Sequence, residues 1–269
     1  MEFKFIYPRW GTDIPFQAFL ENVKNNAYHG VEIDLPEGAN EKKDILNILK
    51  ALHLDFVGQH WQTKESNFKK HKESYKRHLY NLAEGSPLLI NSHTGMDFFS
   101  FSENAELIEL AFIIEEETGV PITHETHRSR FSYAAHVCLD YLKTFPNLKL
   151  TSDFSHWCCV AESLLENQKE AVNFGIKHTY HIHARVGSAQ TPQVIDPRSY
   201  TYSSELELFK LWWLSMLQNA KKQKREYITI TPEFGPFPYA SLDPKTNMPL
   251  ANQWDINQFI RTQIEDAIQ

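Results

Sequence analysis

Apolar and polar positions along this chain follow one pattern eight times over: a short apolar run, then a longer amphipathic stretch. The runs fall at 3–7, 30–34, 55–60, 88–92, 121–125, 149–153, 179–183 and 227–233. Runs of this length, bounded by turn residues, read as strands, and the stretches between them carry apolar residues at helical spacing. Phe16, Phe19, Leu20 and Val23 share one helical face, as do Leu107, Leu110, Ala111 and Ile114, and later Phe209, Trp212, Trp213 and Met216. Such stripes are expected to face the core rather than a cofactor. Leu208, Leu211 and Leu214 lie off the last stripe, which points either to a subunit contact, and so a homo-oligomer, or to cover by the segment 187–203. Strands alternating with helices make βα units around a parallel sheet, and eight units predict closure into an α/β (β/α)8 TIM barrel. No internal repeat and no linker divides the chain, so one domain over 1–269 is expected.

Composition narrows the function classes. The 269 residues suit a barrel, which typically needs ~250, and 42% hydrophobic with 23% charged residues suits an ordinary core. The net charge of −7 disfavours a phosphate-tracking surface, so no nucleic-acid partner is expected. Cys138, Cys158 and Cys159 are odd in number and two are adjacent, which does not suit a disulfide framework. With no signal-like start and no apolar run of ~18 residues, a cytoplasmic protein without a membrane partner is expected. There is no GxSxG and no GxxxxGK[ST], so serine hydrolases and P-loop enzymes lack support. Cys158 and Cys159 lie near His156, but vicinal cysteines opening a helix read as packing.

The later strands end in a distinctive way: ITHET, LTSDFSH, YHIHAR and TITPEFG. Each brings Asp, Glu or His to the strand's C-terminal end, which in a barrel is the active-site face. Glu125, Asp153, His183 and Glu233 come from four successive strands, so their side chains can converge. Three carboxylates and an imidazole suit one divalent metal ion: Mn, Mg, Co or Zn. Side chains two positions earlier point the same way. Those are Thr123, Thr151, His181 and Thr231, where a barrel interior would normally carry Val, Ile or Leu. They read as a second shell orienting the ligands; the plainer alternative is that Thr suits strands.

These residues resemble the xylose isomerase-like barrels, the sugar phosphate isomerases and epimerases, with endonuclease IV as a relative. The motifs are GVEIDLP at 30–36, Glu125 closing the fifth strand, Asp153-x-x-His156, His181-x-His183 and Pro232-Glu233. The resemblance covers nearly the whole chain and makes His183, rather than His181, the ligand. It implies that Glu125 and Glu233 are paired catalytic bases on opposite faces of the substrate carbon. It also implies that His156 and an arginine after the seventh strand hold substrate oxygens. Arg185 is the candidate arginine, although it follows His183 more closely than in the epimerases. Where they carry a second substrate-binding glutamate, this chain has Phe131, inside ETHRSRF. His127, Arg128 and Arg130 there suit either an anionic substrate or a solvated basic patch.

The expected activity is therefore a metal-dependent isomerase or epimerase, taking a proton from the carbon next to a carbonyl of a small-molecule sugar or sugar derivative. A dehydratase or lyase on a polyol or sugar acid, an endonuclease IV-like phosphodiesterase and a non-catalytic metal-binding barrel are the alternatives. His60 and His93, at the third and fourth strand ends, are expected to line the pocket. In endonuclease IV two extra metal ligands occupy such positions, but the seventh strand here continues ARVGSAQ, without the Asp-x-His of that family. Glu32 and Asp34 are placed to bond sugar hydroxyls or to stand as solvated loop charges, and Trp10, Trp61 and Trp157 either to stack on a sugar ring or simply to pack. The long segments 187–203 and 235–253 follow strands and should overlie the mouth.

Overall fold

The computed structural model describes residues 1–268. Eight parallel strands close into a barrel in chain order: β1 (Glu2–Pro8), β2 (Gly30–Ile33), β3 (Asp55–His60), β4 (Ile90–Ser92), β5 (Ile122–Glu125), β6 (Leu150–Ser152), β7 (Thr179–Ala184) and β8 (Tyr227–Pro232). Closure comes from β1 pairing with β8, Phe3 level with Ile228. The eight apolar runs all become strands. Around them lie α1 (Phe16–Asn25), α2 (Ala39–Leu52), α3 (Phe68–Ala83), α4 (Phe101–Thr118), α5 (Ala135–Thr144), α6 (Phe154–Ala161), α7 (Lys169–His178), α8 (Ser203–Lys222) and α9 (Gln253–Ile268). The strands are buried on both faces, as parallel barrel strands must be.

Local chemistry sets the helix ends. Ser100 and Glu103 form a reciprocal capping box at the start of α4, and Gly119 ends it with a left-handed φ of 70°. The predicted stripes Leu107–Leu110–Ala111–Ile114 and Phe209–Trp212–Trp213–Met216 are buried against the sheet, and in the stripe of α1 Phe19, Leu20 and Val23 are buried while Phe16 is partly so. Off the α8 stripe, Leu208 is partly buried against the core, whereas Leu211 stays 61% exposed. The segment 187–203 therefore does not bury it.

Most of the core lies between strands and helices. A smaller apolar cluster, Ile6, Val57 and Leu89, is separate from it and belongs to β1, β3 and the approach to β4. On β7 and β8 the corresponding interior positions are polar. Between β6 and β7 the pairing slips by one residue, so that Leu150 pairs with Thr179 but Thr151 with His181. This irregularity sets Thr151 level with His181, and so carries Asp153 toward His183. No helix among the described residues is long and apolar enough to cross a membrane.

Candidate metal centre and its cavity

Glu125, Asp153, His183 and Glu233 meet at the C-terminal mouth, each offering one ligand atom, and these atoms all lie within 4.8 Å of one another. All four side chains are buried. Nδ1 of His183 lies 2.7 Å from Oε2 of Glu233 and 3.7 Å from Oε1 of Glu125. Asp153 caps α6 through Oδ1, which accepts from the Ser155 amide at 3.0 Å, and turns Oδ2 to Arg185.

The imidazole of His183 is oriented from below. Its Nε2 donates to the carboxylate of Glu32, at 3.0 Å from both oxygens. That leaves Nδ1 facing Glu125 and Glu233. A carboxylate on the far nitrogen of a histidine is a common device for aiming the near one at a metal. Glu32 also accepts from Asn91 at 3.0 Å, from Thr231 at 2.8 Å and from His181 at 3.3 Å. His181 is itself bonded to Thr229 at 2.7 Å. Asn91 gives a further bond to Glu125, 2.8 Å long. Burial opposes the charge on Glu32, but His183 and His181 outweigh it and hold the carboxyl below its ordinary range.

Do these groups fit a divalent ion? Nδ1 of His183 is buried without a hydrogen bond, 2.7 Å from Oε2 of Glu233, which among the described residues is otherwise charge-paired only with Arg185. Atoms that converge on a point instead of on each other are what a metal-ligand set requires. Burial disfavours an imidazolium at His183, yet Glu233, Glu32 and Glu125 overcome it and hold its proton affinity well above normal. A centre that attracts a proton so strongly attracts a divalent cation for the same Coulombic reason. The donor set suits Mn, Mg, Co or Zn. The centre also has a cation of its own: Arg185 reaches Asp153 Oδ2 at 2.9 Å and Glu233 Oε2 at 2.7 Å. Its Nη1 donates to Gln193 at 2.8 Å, and Gln193 is tied to the backbone of Gly235. Both long mouth segments are thereby fastened to the centre. Gly235 leaves no room for a side chain, since a Cβ there would stand 2.3 Å from the Trp10 ring. Asp153, with Glu233 close by, is pushed up to about 6, chiefly by burial and against the pull of Arg185.

Above the centre is a cavity of about 530 Å³. Glu125, Glu233, Arg185 and His93 form part of its lining, with Trp10 and Trp61 on the wall. A larger groove of about 860 Å³ lies around Lys149, Tyr180 and Arg225, near the N-terminal ends of β6 and β7 and away from these groups.

Most candidate residues reach the mouth, but four do not stand where the sequence suggested. His93 does, with Nε2 2.9 Å from Glu125 Oε2. Glu32 lies beneath the centre, is 1% exposed and is absent from the cavity lining, so it holds His183 rather than a sugar hydroxyl. His60 points outward from the barrel: its ring packs on Tyr75 and His78 of α3 and bonds to Ser92 and Thr63. Gln59, one residue earlier, lines the cavity instead. An outward His60 is not available as an extra metal ligand. His156 sits one layer behind the wall, its ring 4.1 Å from that of His127, and is kept neutral chiefly by burial. Trp157 is a core residue, stacked on Phe154 with its indole N–H on the Ser132 carbonyl. Thr123 and Thr151 are buried and bonded to each other at 2.7 Å, whereas Thr231 and His181 engage Glu32 directly. Phe131 faces the core against His124 and Tyr141. Asn91 and Tyr239 were not anticipated; Asn91 follows from alternation, lying two positions before His93 on β4.

No sequence-family model matches the chain, and no curated protein matches it in sequence. Solved structures do match in shape. A D-tagatose 3-epimerase-like protein aligns with TM-score 0.64 at 14% identity over 100% of both chains. The chain shares the (β/α)8 barrel architecture of these structures. A xylose isomerase-like TIM barrel protein from Mycobacterium smegmatis, in complex with magnesium, aligns at TM-score 0.61 and 9% identity over 99% of this chain and 98% of the other. A probable 3-DHS dehydratase from Bacillus anthracis aligns at TM-score 0.58 and 15% identity over 99% of each chain. Identities this low carry the architecture, while the chemistry has to be read from the residues of this chain.

Proposed function

We propose that the protein is a divalent-metal-dependent isomerase or epimerase of a sugar or sugar derivative. One observation carries this reading. Four ligand atoms from four strand ends converge, and two of the carboxylates, Glu125 and Glu233, also line the cavity above. Glu125, Asp153, His183 and Glu233 would hold the ion, whose contribution is to polarise a substrate carbonyl as a Lewis acid.

The remaining work falls to the protein. Glu233, just past β8, and Glu125, closing β5, stand on two sides of His183, so a substrate lying between them presents one face to each. A carboxylate within ~3 Å of the carbon-bound proton serves as general base. Removal by one glutamate and return by the other inverts the carbon; return to the neighbouring carbon gives isomerisation. Burial opposes the charge on Glu125, but His93 and His183 outweigh it and hold the carboxyl well below its ordinary range, so it is ionised at neutral pH, and Asn91 donates to it at 2.8 Å. Arg185 fixes Glu233 and Asp153, and the Trp10 and Trp61 rings offer apolar faces to a sugar.

The test is proton exchange. The protein is supplied with Mn²⁺ and incubated in D₂O with a panel of ketoses, aldoses and sugar acids, and the products are read by NMR. Deuterium at the carbon next to a carbonyl is expected for at least one member, and is expected to vanish in Glu233→Gln. Product from an abasic DNA substrate, with no exchange across the panel, would overturn the reading. The 3-DHS dehydratase among the structural matches makes loss of a β-hydroxyl the second reading, and the same spectra detect it as an unsaturated product.

A further inference from the structure

The rim of the cavity carries cations that form no ion pair among the described residues. Arg9, Lys64 and Arg130 line it. Arg128 lies 5.2 Å from the Tyr239 ring, which belongs to the same wall. Arg9 donates to the carbonyls of Thr12 and Ile14, and Lys64 sits 4.9 Å above the Trp61 ring. Among the described residues, none of these four pairs with a carboxylate, whereas Arg185 below them pairs with two. Asp34, on the β2 side of the rim, is held by Gln62 at 3.2 Å instead.

Arg130 is the most informative of the four. It is only 4% exposed. Its Nη1 bonds to the carbonyls of Thr63 and Gly95, at 3.0 and 3.3 Å, which ties together the segments after β3 and β4. Its Nε is buried and has no partner. Burying a guanidinium among carbonyls alone is costly, because the charge loses its hydration without gaining a counter-ion. A role as a clamp explains Nη1 and Nη2, the latter on the Trp61 carbonyl at 3.5 Å, but leaves Nε unused and the charge without a counter-ion in direct contact. An anion entering the cavity supplies what is missing, and a planar guanidinium binds carboxylate or phosphate oxygens in pairs.

We infer that the Arg130–Lys64 side of the cavity is an anion subsite, and that the substrate is a sugar derivative bearing a carboxylate or phosphate group. This rests on the proposed function for the reacting end of the substrate. The subsite itself rests on the unpaired cations and stands separately.

The experiment measures binding to Mn²⁺-loaded protein by calorimetry, using a panel of neutral sugars, their phosphates and the matching aldonates, at low and high salt. The best anionic member is expected to bind about tenfold or more tighter than its neutral parent, and to weaken as salt rises. Lys64→Met is expected to remove most of this preference and leave neutral sugars unaffected. Arg130→Gln is expected to do the same, and Arg130→Lys to restore part of it, with thermal unfolding used to confirm that both variants fold. A preference confined to phosphates or to aldonates identifies the anion. Equal binding of neutral and anionic members, equal weakening of both by the variants, or no binding across the panel would overturn the subsite. Exchange in D₂O with neutral ketoses alone removes the subsite but spares the proton-abstraction reading; tight anionic binding without exchange does the reverse.

Discussion

The floor of the site and its rim treat charge in opposite ways, the floor with every group buried and the rim with only Arg130 buried and Lys64 exposed. On the floor, the Glu32 carboxylate meets the side-chain donors of Asn91, His181, His183 and Thr231 within 3.3 Å. Each of these groups stands on a strand of the closed barrel. On the rim, Arg9, Lys64 and Arg130 meet carbonyls and an aromatic face. The floor is complete before any ligand arrives, so it can fix the direction of His183 Nδ1 in advance. The rim is complete only when a ligand arrives, so it can choose among ligands. Preorganisation belongs to the first region and specificity to the second.

The contrast can be broken at several points, taken from the largest effect to the smallest. Glu233→Gln removes both a ligand and a base, and kcat is expected to fall about 10³-fold or more in the exchange assay; activity within tenfold of the parent contradicts its role. Glu32→Ala leaves His183, His181, Asn91 and Thr231 without their shared acceptor. It is expected to cost about 3 kcal/mol in urea unfolding, and a loss under about 1 kcal/mol would mean that the floor is not organised around this carboxylate. His60 sharpens the comparison from outside the site. It is held neutral, well below its normal value, first by burial and then by Arg130. The unfolded chain binds a proton there below about pH 6.5 and the folded chain does not, so stability is full above that value and falls as pH drops. The expected loss from this residue is about 2 kcal/mol between pH 8 and pH 5. In His60→Gln the pH slope should flatten; an unchanged slope would remove His60 as its source. His181→Ala loosens Glu32 without touching the ligands and should weaken Mn²⁺ binding about tenfold by calorimetry, with kcat at saturating Mn²⁺ nearly retained. Unaltered affinity would confine His181 to packing. Arg185→Gln removes a positive charge beside Asp153 and Glu233, and Mn²⁺ affinity is expected to rise a few-fold; weaker binding would show that Arg185 positions the carboxylates more than it competes with the ion.

How much of this was legible in the chain depends on which physical rule marks the position. The barrel was legible because eight apolar runs alternate with helical stripes, and burial on both faces demands those runs. The convergence of Glu125, Asp153, His183 and Glu233 was legible because acids and histidines at strand ends have no reason to cluster in a packed interior. Strand parity was not legible on β3. Both faces of a parallel strand are buried, so polarity does not tell Gln59, which faces the cavity, from His60, which faces α3. Asn91 could have been found by applying to β4 the alternation used for β5 to β8. Arg130 and Tyr239 lie in loops, where no period constrains direction and only the assembled mouth shows what they face.

The most direct test of the central claim is anomalous scattering from crystals of the protein grown with Mn²⁺. The account predicts one strong peak about 2.0–2.4 Å from a carboxylate oxygen of each of Glu125, Asp153 and Glu233 and from Nδ1 of His183. A peak at His93 and His127 instead, or no peak with Arg185 still seated on Asp153 and Glu233, would contradict it.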